Sequence, residues 1–483
     1  MKISFPLKSQ KKFKTFSLQE NKVVTFSGLI LSIFIIGYYF RSFTFEVSVL
    51  DWDEITYFIM GKGILLGQIP YVDLWDIKPI GIYLVHAISL MVLPYDPVTL
   101  RWTSFLHLIA LTMVVVSFQK DQNWIWKLLS GLLVLYFFSR LTSGLSANSE
   151  IYFLFYEWFG IYLLLKKNST KLAFFFLGIA FLIKYIIVFD VIFLGLYAIY
   201  KKKKDNSYFQ LFYQLSFFLI PIGVSFIIYF LLGHHQEYFN ALFTVSSKHQ
   251  TSITVEFPYK DLLKLFWPAI FLGFTSILID LKLPKEKIIF LILTITALIG
   301  ASYTGYFFQH YFLALVPPLA IFVIPKRNSF ILIPITIIFL LFYSWSNISN
   351  RLKKDLLYIP DHSKIIASQI EDLGGGKLFV ASGVHATYIY LNQLSPTAYV
   401  QPVNYIDPLF AKNFSVDISR VLKEIEGIQF IQWCNPIPLE NAHENAGLNQ
   451  EFVIPLQLMV KNKYQKNQTK LEECSLYQKV SLK

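Results

Sequence analysis

Long apolar runs constrain this chain more than any other feature. Several of them are about 17–22 residues long, the length of a helix that crosses the hydrocarbon core of a bilayer. Hydrophobic residues make up 55% of the chain and charged residues only 15%, whereas about 25% of the residues in an average soluble domain are charged. The sequence therefore predicts an α-helical polytopic membrane protein with about eleven transmembrane helices.

Lysine clusters beside the apolar runs predict how these helices cross the membrane. Their distribution is typical of cytoplasmic loops, so the net charge of +12 does not indicate a basic domain that binds nucleic acid. We predict a cytoplasmic basic arm over residues 1–23, with no cleavable signal peptide, and a transmembrane domain over 24–348. The transmembrane helices are predicted at about 24–40, 99–118, 126–140, 150–165, two short helices within 171–200, 208–232, 263–281, 286–303, 308–325 and 329–347.

The segment 41–98 is predicted to be a long outer loop. It contains an apolar run at 79–93 that is only about 15 residues long, too short to span a bilayer comfortably. If this run crossed the membrane, the lysines at 120 and 127 would lie outside, against the positive-inside rule. We therefore interpret it as an interfacial or re-entrant helix within the loop.

The composition becomes polar after Asn350, and residues 349–483 are predicted to form a small α/β domain outside the cytoplasm. Its predicted elements are a strand at 377–381, a helix at 417–425 and a strand at 428–433. The two cysteines, Cys434 and Cys474, are too few for a disulfide framework. They form either one disulfide or two buried free thiols.

The outer loop carries the strongest candidates for chemistry, in "LDWDEITYFIMGKGILLGQIPYVDLWDIKPIGIY" from Leu50 onwards. Asp53 or Glu54 could act as a general base, because a carboxylate near a low-dielectric surface can have its pKa raised. Asp51 or Asp53 could equally cap the helix that follows. Lys78 is expected either to hold an anionic headgroup or to anchor the interfacial helix.

Four further residues lie at the predicted outer ends of membrane helices. Glu150 follows "SGLSANS", and Lys184 lies within "FLIKYIIVF", where a buried cation needs an anion such as a lipid phosphate or Asp190. His310 and Tyr311 begin a later helix in "FFQHYFLALVPPLA". The lysine clusters place all of these positions on the same side of the membrane as the outer loop.

Five motifs in this order resemble a known family. "DEITY", "GQIPYVDLW" with "DIKPIGIY", "NSEIY", "FLIKY" and "HYFLALVPPLA" extend over roughly 24–325. Together they resemble the GT-C superfamily of polytopic glycosyltransferases, in particular the branch of protein O-mannosyltransferases and lipid A aminoarabinose transferases. The chain departs from the family pattern at Thr56 and Ile80 and lacks the large sugar-recognition domain of the mannosyltransferases.

The resemblance implies an enzyme that takes a sugar from a polyprenyl-phosphate carrier and transfers it outside the cytoplasm. Asp53 would be the catalytic base, Glu54 would accompany it, and Glu150 would complete the acidic part of the site. Lys78 would bind the carrier phosphate. The other expected substrate contacts are Tyr57, Asp51, Lys184, His310 and Tyr311.

The expected partners are therefore a polyprenyl-phosphate-sugar donor, membrane lipid, and a lipid, glycan or protein acceptor. No cofactor is expected, although Asp51, Asp53 and Glu150 could bind a divalent cation through oxygen. The expected location is a bacterial inner membrane. Two alternatives remain open: a transporter or flippase for lipid-linked saccharides, and a non-catalytic protein of envelope assembly.

Overall fold

The computed structural model describes most of the chain, and helices account for most of it. The described residues are 22–202, 208–245, 257–280, 284–303, 305, 307–326, 332–357, 361–434, 447–467, 471 and 473–480. The predicted basic arm, 1–23, lies outside these residues except at its last two positions.

The first half of the chain is a series of helices joined by short turns. They are α1 (Lys22–Arg41), α2 (Trp52–Leu65), α3 (Gly81–Leu90), α4 (Pro97–Ser117), α5 (Trp124–Ser139), α6 (Thr142–Leu145), α7 (Ser149–Lys167), α8 (Thr170–Ile183) and α9 (Val188–Lys202). Helix α7 packs along both α8 and α4, and α1 packs against α5. The turn predicted near Lys184 is confirmed, since α8 ends one residue before it and α9 begins shortly after.

The helical part continues through the middle of the chain. Its helices are α10 (Tyr208–Leu215), α11 (Leu219–Leu231), α12 (His235–Phe239), α13 (Tyr259–Asp280), α14 (Lys285–Tyr303), α15 (Val316–Phe322) and α16 (Leu332–Leu357). A 3₁₀ turn, Gln309–Leu315, precedes α15.

Among the described residues, six helical segments are long and apolar enough to cross a membrane, so the fold is that of a helical membrane protein. Five of them are Phe26–Glu46, Pro97–Ser117, Tyr208–Leu231, Tyr259–Asp280 and Lys285–Tyr303, and the sixth includes α16, Leu332–Leu357. The other predicted spans are also helical, but they are shorter or, in α7, interrupted by acidic residues and lysines. The number of crossings, about eleven, stays a prediction.

The segment between α1 and α4 forms two short helices that pack on each other. Asp51 caps α2 by accepting a hydrogen bond from the backbone N–H of Asp53 at 3.0 Å. This confirms the prediction of a helix cap at this position. Gly61 allows α2 to approach α3, because a Cβ there would lie 2.8 Å from the backbone nitrogen of Ala87. Helix α3 has ten residues, so the run at 79–93 forms a short helix. Its interfacial or re-entrant position stays a prediction.

The C-terminal part contains a four-stranded sheet with the order β1-β2-β4-β3. Its strands are β1 (Leu378–Ser382), β2 (Phe430–Cys434), β3 (Tyr464–Asn467) and β4 (Cys474–Lys479). Its helices are α17 (His362–Asp372), α18 (Thr387–Tyr390), α19 (Val403–Ile406), α20 (Pro408–Asn413), α21 (Ile418–Ile425) and α22 (Gln450–Lys463). Strands β1 and β2 are parallel and joined by a helical crossover, whereas β4 pairs antiparallel with both β2 and β3.

The predicted strands at 377–381 and 428–433 and the predicted helix at 417–425 are thus present within a residue or two. Of the two states that the sequence left open for the cysteines, the structure has the disulfide. Cys434 and Cys474 face each other on β2 and β4, so the bond ties the last strand to the centre of the sheet.

Candidate active site

Residues from five separate motifs meet at one end of the helical part. Asp53 lies in the first turn of α2, Lys78 lies just before α3, and Glu150 begins α7. Lys184 occupies the turn between α8 and α9, and His310 lies in the 3₁₀ turn before α15. The contacts described below join them into two adjacent groups, one around Asp53 and one around Glu150.

Gly81 allows Lys78 to lie close to the turn at Lys184. A Cβ at Gly81 would lie only 2.5 Å from the carbonyl oxygen of Leu182, so a larger residue would push α3 away from the end of α8. Lys78 is three residues before this contact, and its backbone carbonyl accepts hydrogen bonds from Tyr71 at 2.7 Å and Tyr83 at 3.1 Å. The lysine is therefore held by a fixed loop.

Asp53 is the centre of the first group. Its Oδ2 lies 3.4 Å from the Nζ of Lys78 and accepts a hydrogen bond from the hydroxyl of Tyr57 at 3.0 Å. Its Oδ1 accepts a hydrogen bond from the Nε2 of Gln401 at 3.0 Å. The side chains of Asp53 and Lys78 keep 29% and 25% of their surface exposed, so a ligand can reach both.

The ion pair fixes the charge of both partners. Burial disfavours the carboxylate of Asp53, but Lys78 and the donors of Gln401 and Tyr57 outweigh it and lower the pKa to about 2. Burial likewise opposes the charge of Lys78, yet Asp53 raises the pKa of the lysine above its usual value. A carboxylate with so low a pKa is a weak base until its cation is engaged elsewhere.

Two other acids of the outer segment support this geometry. Besides capping α2, Asp51 accepts a hydrogen bond from Asn148 at 3.1 Å, while burial and the charge of Asp53 raise its pKa to about 7. Asp76 accepts a hydrogen bond from Tyr83 at 2.9 Å, and burial raises its pKa to about 6. Asp51 thus holds the start of α2 in place, whereas contact with a substrate stays a prediction for it.

Glu150 is the centre of the second group and is fully buried. Lys184 donates a hydrogen bond to its Oε1, and the Nε2 of His310 lies 3.8 Å from the same oxygen. The Nζ of Lys184 also lies 4.2 Å from the ring centre of Tyr311, in cation–π geometry. The acid partner of Lys184 is therefore Glu150 and not Asp190, which accepts a hydrogen bond from a threonine of α14.

Glu54 lies away from the accessible site, although it was expected to accompany Asp53 there. It is fully buried, and Arg101 donates two hydrogen bonds to its carboxylate, one of 2.9 Å. The backbone N–H groups of Leu50 and Ala147 donate to the same carboxylate at 2.8 Å and 2.7 Å. With these four donors Glu54 ties α2 to α4 and to the turn before α7, and the geometry gives no support to a catalytic role.

Arg101 and Gln401 are the two residues that sequence reasoning missed. A signal existed for Arg101, because an arginine within a predicted membrane helix requires a buried partner. Gln401 belongs to no motif, and 348 positions separate it from Asp53.

An apolar cavity of ≈ 530 Å³ adjoins the cluster. Pro79 and Tyr185, which follow Lys78 and Lys184 in the chain, form part of its wall. Phe189 and Phe226 contribute further wall surface, so the cavity is mainly aromatic and aliphatic. The arrangement offers cationic groups beside a space for hydrocarbon.

No group of three or more His, Cys, Asp or Glu residues in the described ranges could hold a metal ion. No protein-family model matches the chain, and no curated protein is similar enough to count as a relative.

Proposed function

We propose that this protein is a membrane glycosyltransferase that moves a sugar from a polyprenyl-phosphate donor to an acceptor outside the cytoplasm. The observation that carries the proposal is the convergence of the motif residues, with the carboxylate of Asp53 and the ammonium of Lys78 3.4 Å apart and accessible. A base beside a phosphate-binding cation is what such a transfer requires.

The donor fits the cationic end of the site. Lys78 binds the carrier phosphate as a point charge, and the adjoining cavity of ≈ 530 Å³ accepts the first part of the polyprenyl chain. Its volume falls within the range of about 300–1,000 Å³ typical of ligand sites. Lys184, held by Glu150 and the ring of Tyr311, adds positive charge on the same side.

The acceptor hydroxyl gives its proton to Asp53, and its oxygen forms a bond to the anomeric carbon of the sugar. The bond from that carbon to the phosphate oxygen breaks, and polyprenyl phosphate leaves with the electron pair. Lys78 stabilises the negative charge on the leaving phosphate. When Lys78 turns from Asp53 to the phosphate, the carboxylate loses its nearest cation, its pKa rises, and it becomes a better base.

We further propose that the protein crosses a bacterial inner membrane about eleven times, with a cytoplasmic N-terminus. The residues 349–483 would then form an α/β domain on the outer face, beside the site. The disulfide of Cys434 and Cys474 supports this side, because disulfides persist in oxidising compartments.

A carrier of lipid-linked saccharides is the second candidate, and one observation favours it. Glu157 and Asp190 are buried in α7 and α9, and buried acids in membrane helices often mark ion pathways. A carrier would move the donor across a proteoliposome without cleaving it. Such movement, blocked by Glu157→Gln and unaccompanied by cleavage, would favour the carrier.

The transferase is tested by offering the purified protein a panel of radiolabelled polyprenyl-phosphate sugars with lipid, glycan and peptide acceptors. We expect one donor to be consumed with release of polyprenyl phosphate. Intact donors throughout, in a preparation that remains folded by thermal-shift measurement, would contradict the proposal.

A further inference from the structure

The C-terminal part of the chain is fixed directly on the segment that carries Asp53. Thr56, one turn after Asp53, shares a hydrogen bond of 2.9 Å with the Nε2 of His385. The backbone N–H of Trp75 donates to the carbonyl of Ala398 at 2.7 Å. Between β1 and α19, the chain is thus attached to the outer segment at two points.

Gln401 follows directly on this attachment. It is half-buried, three residues after Ala398 and two before α19. Its Nε2 donates to Oδ1 of Asp53, whereas Tyr57 donates to Oδ2 and the Nζ of Lys78 lies 3.4 Å from Oδ2. The two carboxylate oxygens are thus held by different parts of the chain, one by the helical part and one by the C-terminal part.

We propose that Gln401 is a positioning residue, through which the C-terminal part completes the site by fixing the carboxylate plane of Asp53. With Oδ1 held, Oδ2 faces Lys78 and the accessible space beside it. Without this donor, the contacts of Tyr57 and Lys78 at Oδ2 alone no longer fix the rotation of the carboxylate. The catalytic consequence rests on the proposed function, whereas the effect on the ionisation of Asp53 does not.

The ionisation of Asp53 also depends on groups that a change at Gln401 does not remove. The charged and titratable groups that act on Asp53 are Asp51, Tyr57, Asp76, Lys78, Lys184, His310, Tyr311 and His385. A donor to a carboxylate favours its ionised form, so removal of the amide raises the pKa of Asp53. The loss of one hydrogen bond to a charged group corresponds to a shift of about one unit.

The test uses the full-length protein and requires no turnover. A water-soluble carbodiimide reacts with the protonated carboxyl, so its rate of labelling at Asp53, read by peptide mass spectrometry at pH 5, reports the protonated fraction. Gln401→Met keeps the volume and removes the donor, and Gln401→Asn shortens it. Gln465→Ala, at an exposed position on β3, is the control.

We expect Asp53 to be labelled about tenfold faster in Gln401→Met than in the wild type, since one pKa unit is a factor of ten in protonated fraction. Gln401→Asn should show the same direction, and Gln465→Ala no change. Equal labelling rates in wild type and both Gln401 variants, with melting temperatures unchanged, overturn the inference whether or not the protein transfers a sugar.

A second readout separates the two proposals. With an active donor, Gln401→Met should lower kcat about tenfold, because the lost orientation of Asp53 outweighs the gain in its basicity. The donor KM should stay within about twofold, because the amide contacts Asp53 and not Lys78. If Asp53 is labelled faster in Gln401→Met but the protein consumes no donor, the positioning role of Gln401 stands and the proposed transferase activity is rejected. If the labelling rate and kcat are unchanged in an active enzyme, the positioning role of Gln401 is rejected and the transferase activity stands.

Discussion

Two neighbouring carboxylates on the first turn of α2 have opposite surroundings. Asp53 and its partner Lys78 keep 29% and 25% of their side-chain surface exposed, whereas Glu54 and Arg101 keep 0% and 1%. Successive residues on a helix point about 100° apart. One pair therefore faces the accessible site and the other the interior of the helical part.

Because of this difference in exposure, Asp53 and Lys78 can exchange each other for a ligand, whereas Glu54 and Arg101 cannot. Water and a ligand can compensate either charge of Asp53 and Lys78, so a phosphate can take the lysine without a large desolvation cost. If Glu54 lost Arg101, a charge would stay buried without compensation. The two neighbouring acids thus differ in role: a ligand can reach Asp53, whereas Glu54 stabilises the fold.

The largest expected effect concerns the buried pair. Glu54→Gln leaves the guanidinium of Arg101 buried without its counter-ion, and we expect unfolding to become easier by about 3–5 kcal/mol. Thermal unfolding of the purified protein, with Asp53→Asn beside it, measures the contrast. The stability of Asp53→Asn should stay close to that of the wild type. Equal losses of stability in the two variants would show that the exposure of an ion pair does not decide how much it stabilises the fold.

The next effect concerns the exposed pair. Lys78→Met removes the cation that lowers the pKa of Asp53, so that pKa rises and a larger fraction of Asp53 is protonated at pH 5. We expect carbodiimide labelling of Asp53 to accelerate and the donor KM to rise about 10–100-fold, since a charge-assisted contact to phosphate is lost. Lys62→Met, on the helix that carries Asp53 but over the ring of Tyr95, is the control. A donor KM equal to that of the wild type would contradict the proposal that Lys78 binds the donor.

The smallest effect concerns the hydroxyl of Tyr57. Tyr57→Phe keeps the buried ring and removes one donor to Asp53, and we expect kcat to fall about fivefold. Tyr95→Phe is a suitable control, because the hydroxyl of Tyr95 has no hydrogen-bond partner within the described part of the chain. A loss in Tyr95→Phe as large as in Tyr57→Phe would indicate a general effect on packing.

Much of the cluster followed from motif order and spacing. Asp53, Lys78, Glu150 and His310 each follow or begin an apolar run, and Lys184 lies within one. The lysine clusters predict that all five lie on one side of the membrane. The partner of Lys184 could not be chosen from the sequence, because Glu150 and Asp190 both lie at ends of predicted helices and only packing distinguishes them.

Other features depended on contacts that local patterns do not encode. The sequence does not indicate that Asp53 is accessible and its neighbour Glu54 is buried. The exposure of each side chain depends on how α2 packs against the other helices. Gln401 reaches the site only because the C-terminal part packs on the outer segment. The disulfide was one of two open states, because sequence spacing does not give the distance between β2 and β4.

The central claim, that Asp53 is the base of a sugar transfer from a polyprenyl-phosphate donor, is tested most directly by single-turnover cleavage of the radiolabelled donor. The wild type and Asp53→Asn are compared at saturating donor, with Asp73→Asn, an exposed acid of the same loop, as the matched control. We predict release of polyprenyl phosphate by the wild type and Asp73→Asn, and a rate about 10²–10⁴-fold lower for Asp53→Asn. Cleavage by Asp53→Asn at the wild-type rate would contradict the claim.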